Sequence, residues 1–192
     1  MIRRLYDWTL SLAETRYALW ALAAVAFMES SFFPIPPDLL MIPMILARPN
    51  RAFVIAGVAL VASVLGGLLG YAIGALAYDT LGAPVLTALG KEDYFAEFTQ
   101  RYNDWGIWVV LTAGVTPFPY KVITILSGAT ALNLPVFIAT SIVARGLRFF
   151  IVAGLLWKFG APIRDFIEKR LGLMFTLFIV ILFGGFYLVR FL

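Results

Sequence analysis

Five ionisable residues lie within long apolar stretches of this chain, where a charge is costly. They are two acids and three bases: Glu29, Asp38, Lys121, Arg145 and Arg148. An isolated charge at the centre of a bilayer costs about 2.5–3.5 kcal/mol on insertion scales, so such residues should pair or face water. In a central polar cavity, the surplus positive charge suits an anionic substrate, and the carboxylates can carry protons. The alternative is a set of internal salt bridges that only fasten helices together.

Two groups of prolines interrupt the same apolar stretches. The helix breakers are Pro34, Pro36 and Pro37 in the first stretch, and Pro117 and Pro119 in the second. Glu29 and Asp38 flank the first group, and Lys121 follows the second. Proline excludes a regular helix, and non-helical backbone within a membrane survives only where protein or a water-filled cavity satisfies its polar groups. We therefore expect the two breaks to line a substrate or ion pathway.

A shift of 83 residues without a gap aligns the two breaks with each other. It superposes prolines on prolines and sets Asp38 against Lys121. Proline-interrupted hydrophobic segments at corresponding positions of two halves are the best indication of a transporter's binding site that a sequence offers. The repeat halves are predicted at about 5–79 and 88–162. If they are related by a two-fold axis in the membrane plane, Asp38 and Lys121 lie at the same depth and can pair.

The composition is that of a polytopic membrane protein. The chain has 192 residues, 62% of them hydrophobic, and its mean hydropathy is +0.93. Histidine and cysteine are absent, which removes the commonest metal ligand, the usual general base and any cysteine nucleophile, so we expect no metal and no cofactor. The net charge of +4 comes from scattered residues and does not indicate nucleic-acid binding. No phosphate-binding loop or nucleophile elbow is present, so we do not expect an enzyme.

The length of the apolar stretches predicts the topology. The stretch 17–47 is too long for one ordinary span and too short for two, since each needs about 20 residues. As a re-entrant hairpin it returns Arg48 and Arg51 to the side of the N-terminal arginines, which is the cytoplasm by the positive-inside rule. The stretch 106–132 repeats this from the opposite side. We predict an all-α polytopic membrane protein, an inverted repeat with two Pro-broken re-entrant hairpins and a cytoplasmic N-terminus.

Interfacial helices and full spans complete the predicted architecture. Two amphipathic segments, 1–16 and 91–105, are expected to lie at the membrane surface. About three full spans are expected, at 50–78, 133–157 and 171–192. The membrane domain then covers residues 17–158, with an interfacial helix before it and a C-terminal transmembrane helix after it. Asn50 and Asn133 are expected to cap the first two spans.

A stripe of small residues follows the first full span at every fourth position. It includes Gly66, Gly70 and Gly74. Such stripes let helix backbones approach closely. We expect this one to serve packing, either within the chain or between copies, so a homo-oligomer is left open.

The motifs around the breaks resemble those of the DedA family, the bacterial branch of the VTT-domain (SNARE-associated Golgi protein) superfamily. The resemblance rests on Glu29 followed by Pro-x-Pro-Pro-Asp38, on the Gly-rich span, and on Thr116-Pro-Phe-Pro-Tyr-Lys121 leading into Leu126-Ser-Gly128-Ala. Glu29 and Asp38 match the family's acidic positions. The second motif departs from the family, because Thr116 stands where a first arginine is usual and Lys121 approximates a second. This departure suggests a divergent, YqaA-like branch.

The resemblance implies two re-entrant loops that face each other in the bacterial inner membrane, translocation of a lipid carrier such as undecaprenyl phosphate or of phospholipids, and a role in envelope homeostasis. The leading hypothesis is a transporter or flippase for an anionic lipid. Lys121, Arg145 and Arg148 would attract the headgroup, and Glu29 and Asp38 would exchange protons. Two alternatives stay open: an energy-independent phospholipid scramblase, and a membrane assembly or structural factor that transports nothing.

Overall fold

The computed structural model describes residues 17–32, 35–116 and 118–189, with backbone alone at residue 161 and from residue 163 onward. The predicted interfacial helix 1–16 and the break prolines Pro34 and Pro117 lie outside the described residues. The side chains of the predicted span 171–192 lie outside them as well. Within the described part of the chain every regular element is a helix, which confirms the all-α class.

Eight α-helices follow one another along the described chain. They are α1 (Ala18–Ser31), α2 (Asp38–Ala47), α3 (Ala52–Ala77), α4 (Ala83–Leu89), α5 (Glu92–Asp104), α6 (Gly106–Val115), α7 (Tyr120–Ala129) and α8 (Leu134–Val189). A π-helical turn, Tyr78–Gly82, joins α3 to α4. The backbone of α8 is continuous, so it connects the residues predicted as two separate spans.

The helices stop and restart at the proline groups. Helix α1 ends at Ser31 and α2 begins at Asp38, directly after Pro37. Helix α6 ends at Val115 and α7 begins at Tyr120, directly after Pro119. A proline just ahead of a helix is harmless, because the first amides of a helix have no intrahelical partner. We call residues 32–37 the first break and residues 116–119 the second break.

The order of elements recurs in the two parts of the chain. A short helix, a break, a second short helix and a long helix form the series α1–α2–α3 and again α6–α7–α8. The second short helices begin at Asp38 and Tyr120, and the long helices at Ala52 and Leu134. These starting points agree within one residue with the offset found in the sequence.

Each long helix packs against helices of both series. Helix α3 contacts α1 of its own series and α7 of the other, while α8 contacts α6 of its own series and α2 of the other. The two long helices also pack against each other. The helix that follows each break is therefore held by the long helix of the opposite series. Because α8 contacts both α2 and α6, which adjoin the first and the second break, both breaks lie near α8.

The glycine stripe of α3 makes this packing close. A Cβ at Gly66 would overlap the backbone of Phe27 in α1. One at Gly74 would overlap the carbonyl group of Ile125 in α7, and Gly70 faces the same helix. These glycines thus let the backbones of α1 and α7 come into direct contact with the backbone of α3, as small residues do in membrane helix pairs.

The described chain has two helical stretches that are long and apolar enough to cross a membrane. They are Pro49–Leu89 and Leu134–Gly160. Large apolar side chains, such as Trp20 and Val61, are exposed on the bundle surface. A surface of this kind suits lipid better than water, and the chain is a membrane protein.

Helix α5 lies within one residue of the predicted amphipathic helix 91–105 at each end. It is anchored to the second series by Tyr102, whose hydroxyl lies 3.0 Å from that of Ser127, and by Asn103, which donates to the carbonyl of Thr130. Burial raises the pKa of Tyr102 to about 12, so its hydroxyl stays protonated at neutral pH.

One of the two predicted helix caps is confirmed and the other is wrong. The side-chain oxygen of Asn133 accepts a hydrogen bond of 3.1 Å from the amide of Val136 in the first turn of α8. Asn50 instead lies within a 3-10 turn, Pro49–Arg51, and α3 begins after Arg51 without a side-chain cap. Pro49 starts that turn, so the chain is already wound before α3 begins.

Candidate functional site

Two arginines of α8 hold the two acids that flank the first break. Arg145 Nη2 lies 2.7 Å from Glu29 Oε2, and Arg148 Nη2 lies 2.5 Å from Asp38 Oδ2. The arginines are three residues apart and therefore share one helix face. The structure thus brings together four of the five ionisable residues identified in the sequence, and we call these four the charged network.

The pair Glu29–Arg145 is the more deeply buried of the two. The Arg145 side chain is 2% exposed and that of Glu29 is 12% exposed. Burying a charge without a partner costs several kcal/mol, so both ions depend on each other. Glu29 lies in the last turn of α1, and α8 reaches it across the bundle.

Two serines complete a ring of hydrogen bonds around this pair. Arg145 Nε donates to Ser63 Oγ at 2.7 Å, Ser63 and Ser30 share a hydrogen bond of 2.7 Å, and Ser30 donates to Glu29 Oε2 at 3.1 Å. A hydroxyl has one proton to donate. Since Ser30 uses its proton on Glu29, the proton between the two serines comes from Ser63. The ring joins α1, α3 and α8.

Aromatic rings cover the Arg145 guanidinium. Its central carbon lies 4.8 Å from the ring centroid of Tyr120 and 4.7 Å from that of Phe149, which are favourable cation–π distances. Tyr120 is itself fixed, since its hydroxyl donates to Ser141 Oγ at 2.6 Å. The second series therefore contributes a buried aromatic wall to the charged network.

Sequence reasoning missed these supporting residues. They are Ser30, Ser63, Tyr120 and Ser141. Two signals were available: Ser63 interrupts the apolar sequence of α3, and Ser30 follows Glu29 directly. Polar side chains inside membrane helices commonly form hydrogen bonds between helices.

Arg148 connects the two breaks. While Nη2 holds Asp38 at the end of the first break, Nη1 donates to the carbonyl oxygen of Thr116 in the second break at 2.6 Å. The last carbonyl groups of a helix have no intrahelical donor, and α6 ends just before Thr116. Arg148 supplies that missing donor, so one guanidinium stabilises both interruptions.

The two carboxylate oxygens of Asp38 differ in their hydrogen bonding. Oδ2 holds Arg148, whereas Oδ1 is buried and has no hydrogen-bond partner in the part of the chain that the structure describes. A buried acceptor without a donor is costly, by about 1–3 kcal/mol. This oxygen is therefore a place where a hydrogen-bond donor would bind favourably.

Lys121 does not form the expected pair with Asp38. It lies in the first turn of α7 and is half-buried, and among the described residues its ammonium has no ion pair. The reason is packing: α2 lies against α8, which carries the arginines. Helix α7 is instead tied to the end of α1, where Thr124 donates to the carbonyl of Ser30 at 2.9 Å.

The described prolines of the two breaks are all at least partly buried. Pro37 is buried, and Pro36 and Pro119 are half-buried. Among the described residues no group of three carboxylates could hold a metal ion. The chemistry that this arrangement allows is the exchange of charge partners, in which an arginine releases a carboxylate and pairs with another anion.

Comparison with known proteins places the charged network in a family context. The family profile described as the VTT domain matches residues 35–158, a range that includes Asp38, Lys121, Arg145 and Arg148. An uncharacterized protein of Haemophilus influenzae is 39% identical over 168 residues, which cover 85% of this chain and 87% of that protein. A homolog in Histophilus somni is 38% identical over 168 residues, with the same coverage of each chain. No solved structure matches the chain.

Proposed function

We propose that this chain, which belongs to the VTT-domain family, is an inner-membrane transporter or flippase for an anionic lipid or lipid carrier, such as undecaprenyl phosphate. The observation that carries the proposal is the charged network, because one of its ion pairs is buried among apolar helices and the other lies partly buried at the breaks. Charged residues inside membrane bundles mark substrate and ion pathways. Packing alone does not require them, since hydrophobic residues of similar volume often stabilise as well as a buried ion pair.

The recurrence of the helix series supports an inverted repeat. In the proposed topology, the two broken hairpins enter from opposite faces, the Arg48–Arg51 turn is cytoplasmic and residues 91–104 are periplasmic. Each hairpin would then be held by the long helix of the opposite half, as the packing of α2 on α8 and of α7 on α3 suggests. Rocking of one half against the other would expose the site to each side in turn.

In this proposal, protonation of Glu29 or Asp38 couples lipid transport to the proton gradient. With both acids ionised, the charged network is neutral. Lys121 is a further cation, and it follows Tyr120, whose ring covers Arg145. A proton on Asp38 or Glu29 removes one negative charge and loosens the hold on the facing arginine. The network then becomes positive and attracts a phosphate headgroup, together with Lys121. Loss of the proton restores the ion pair and releases the headgroup.

A reconstitution experiment tests this function. Purified protein in liposomes is given labelled polyprenyl phosphate or labelled phospholipid, with and without a pH gradient, and protein-free liposomes serve as the control. The proposal predicts movement of the anionic lipid that the gradient biases. Movement that ignores the gradient indicates an energy-independent scramblase, and no movement of either lipid favours an assembly factor.

The scramblase is the stronger alternative, because both acids are already paired with arginines. A groove between the hairpins that is lined by fixed ion pairs could guide headgroups without any titrating acid. The response to the pH gradient separates this mechanism from proton-coupled transport.

A further inference from the structure

We infer that the two arginines of α8 have different roles, an inference that rests on the proposed transport function. Arg145 is a fixed structural residue, held by Ser63 and Glu29. Arg148 is the exchangeable residue: an anionic headgroup takes over its guanidinium and thereby disconnects the two breaks.

The guanidinium of Arg145 is poorly available to a ligand. Its Nε is bound to Ser63 and its Nη2 to Glu29, and the aromatic rings of Tyr120 and Phe149 cover it. Its side chain is 2% exposed. An incoming headgroup would have to displace a carboxylate, break the serine ring and push both aromatic rings aside at once. The surroundings of Arg145 therefore resist exchange.

Arg148 and Asp38 have open bonding capacity. An arginine has five N–H donors, and in the described region of the chain Arg148 uses two, on Asp38 and on the carbonyl of Thr116. The two ionic side chains are 17% and 18% exposed, so water and ligands can approach. Asp38 Oδ1 has no described hydrogen-bond partner and can accept a hydrogen bond from a donor group.

Exchange at Arg148 would act on both breaks together. The planar guanidinium fork binds two oxygens of one phosphate side by side. Its amino groups hold Asp38 at the first break and Thr116 at the second, so a phosphate that takes the fork removes both contacts. The phosphate then balances the charge of the guanidinium, and the released Asp38 accepts hydrogen bonds from water, because this pair is partly exposed. The direct link that Arg148 makes between the two breaks is then lost.

Thermal unfolding of the full-length protein in neutral detergent tests this division. The probes are dodecyl phosphate, inorganic phosphate and, as the uncharged control of equal chain length, dodecyl glucoside. A ligand that binds only the folded state raises the unfolding midpoint. Dodecyl phosphate should raise it and the other two should not. Arg148→Gln should weaken the apparent affinity about tenfold or more, the loss expected for charge-assisted hydrogen bonds.

The matched variant acts on the other arginine. Ser63→Ala should lower the midpoint without ligand yet leave the affinity for dodecyl phosphate within about twofold, and Ser63→Thr, which keeps the hydroxyl, should restore the midpoint. Because Arg148→Gln leaves Asp38 unpaired, Arg148→Lys provides a second, milder test: it keeps the charge, loses the fork and should still bind dodecyl phosphate more weakly than wild type.

Three outcomes would overturn the inference. The first is an affinity for dodecyl phosphate that is unchanged in both Arg148 variants, and the second is a Ser63→Ala protein that no longer responds to dodecyl phosphate. The third is a wild-type protein that responds equally to inorganic phosphate, because the ligand would then be free phosphate and not a lipid headgroup. Failure of the transport function looks different. In that case dodecyl phosphate still binds through Arg148, but liposomes containing wild-type protein move no lipid.

Discussion

Arg148 donates a hydrogen bond of 2.6 Å to the carbonyl oxygen of Thr116, while its other amino group holds Asp38. Asp38 and Thr116 belong to different helix series and lie at different breaks. One side chain on a long helix thus stabilises both interruptions of helical structure. A ligand that displaced this side chain would therefore remove a contact at each break.

Asp38 should be essential for transport but not for insertion. Asp38→Asn keeps the shape of the side chain and removes its charge, so we expect lipid transport and its response to a pH gradient to be lost while the protein remains in the membrane fraction. Glu97→Gln is the matched control, because Glu97 is exposed and paired with Arg101 on α5. Normal transport by the Asp38 variant would mean that this carboxylate handles no proton.

Removal of one partner from the buried pair Glu29–Arg145 should strongly destabilise the protein. Arg145→Gln leaves Glu29 without its cation and should cost about 3–5 kcal/mol, whereas Arg101→Gln, in an exposed pair, should cost about 0–1 kcal/mol. Unfolding in detergent measures both. The double variant Glu29→Gln/Arg145→Gln should be milder than the sum of the two single changes. Strict additivity would show that the two residues do not stabilise each other.

Glycine replacements should separate close packing from helix propensity. Gly66→Ala forces a Cβ into the backbone of Phe27, and overpacking of this kind costs about 1–3 kcal/mol. Gly57 lies in the same helix, and a Cβ added there would meet nothing within 4 Å, so Gly57→Ala should be neutral or stabilise by up to about 1 kcal/mol. Unfolding midpoints of the two variants decide this. Equal effects would mean that α1 does not approach α3 as closely as described.

Single cysteines can test the proposed topology, since the chain contains no natural cysteine. With an impermeant thiol reagent on intact cells, Asp93→Cys should react and Asn50→Cys should react only after the cells are opened. This follows from a cytoplasmic turn at residues 48–51 and a periplasmic α5. Labelling of residue 50 without labelling of residue 93 on intact cells would instead favour two broken spans over re-entrant hairpins.

The ends of the helices at the breaks could be predicted from the sequence because proline acts locally. The starts of α2 at Asp38 and of α7 at Tyr120 follow from the prolines just before them. The spacing of Arg145 and Arg148 likewise predicts that the two arginines share one face of a helix.

The choice of ion partners could not be predicted in this way, because it depends on how helices distant in sequence pack. The repeat register set Asp38 against Lys121. Because α2 packs on α8, Asp38 pairs with Arg148 instead. The role of Ser63 was hidden for the same reason. A single serine in an apolar helix gains meaning only when Arg145 is seen to lie against it.

The most direct test of the account is the transport of labelled polyprenyl phosphate by wild type and by Arg148→Gln in liposomes with an imposed pH gradient. Arg101→Gln, which removes an exposed arginine from α5, controls for the loss of a positive charge. We predict gradient-dependent movement by wild type and by Arg101→Gln, and a loss of at least about tenfold in Arg148→Gln. Equal rates of lipid movement in all three proteins would contradict the account.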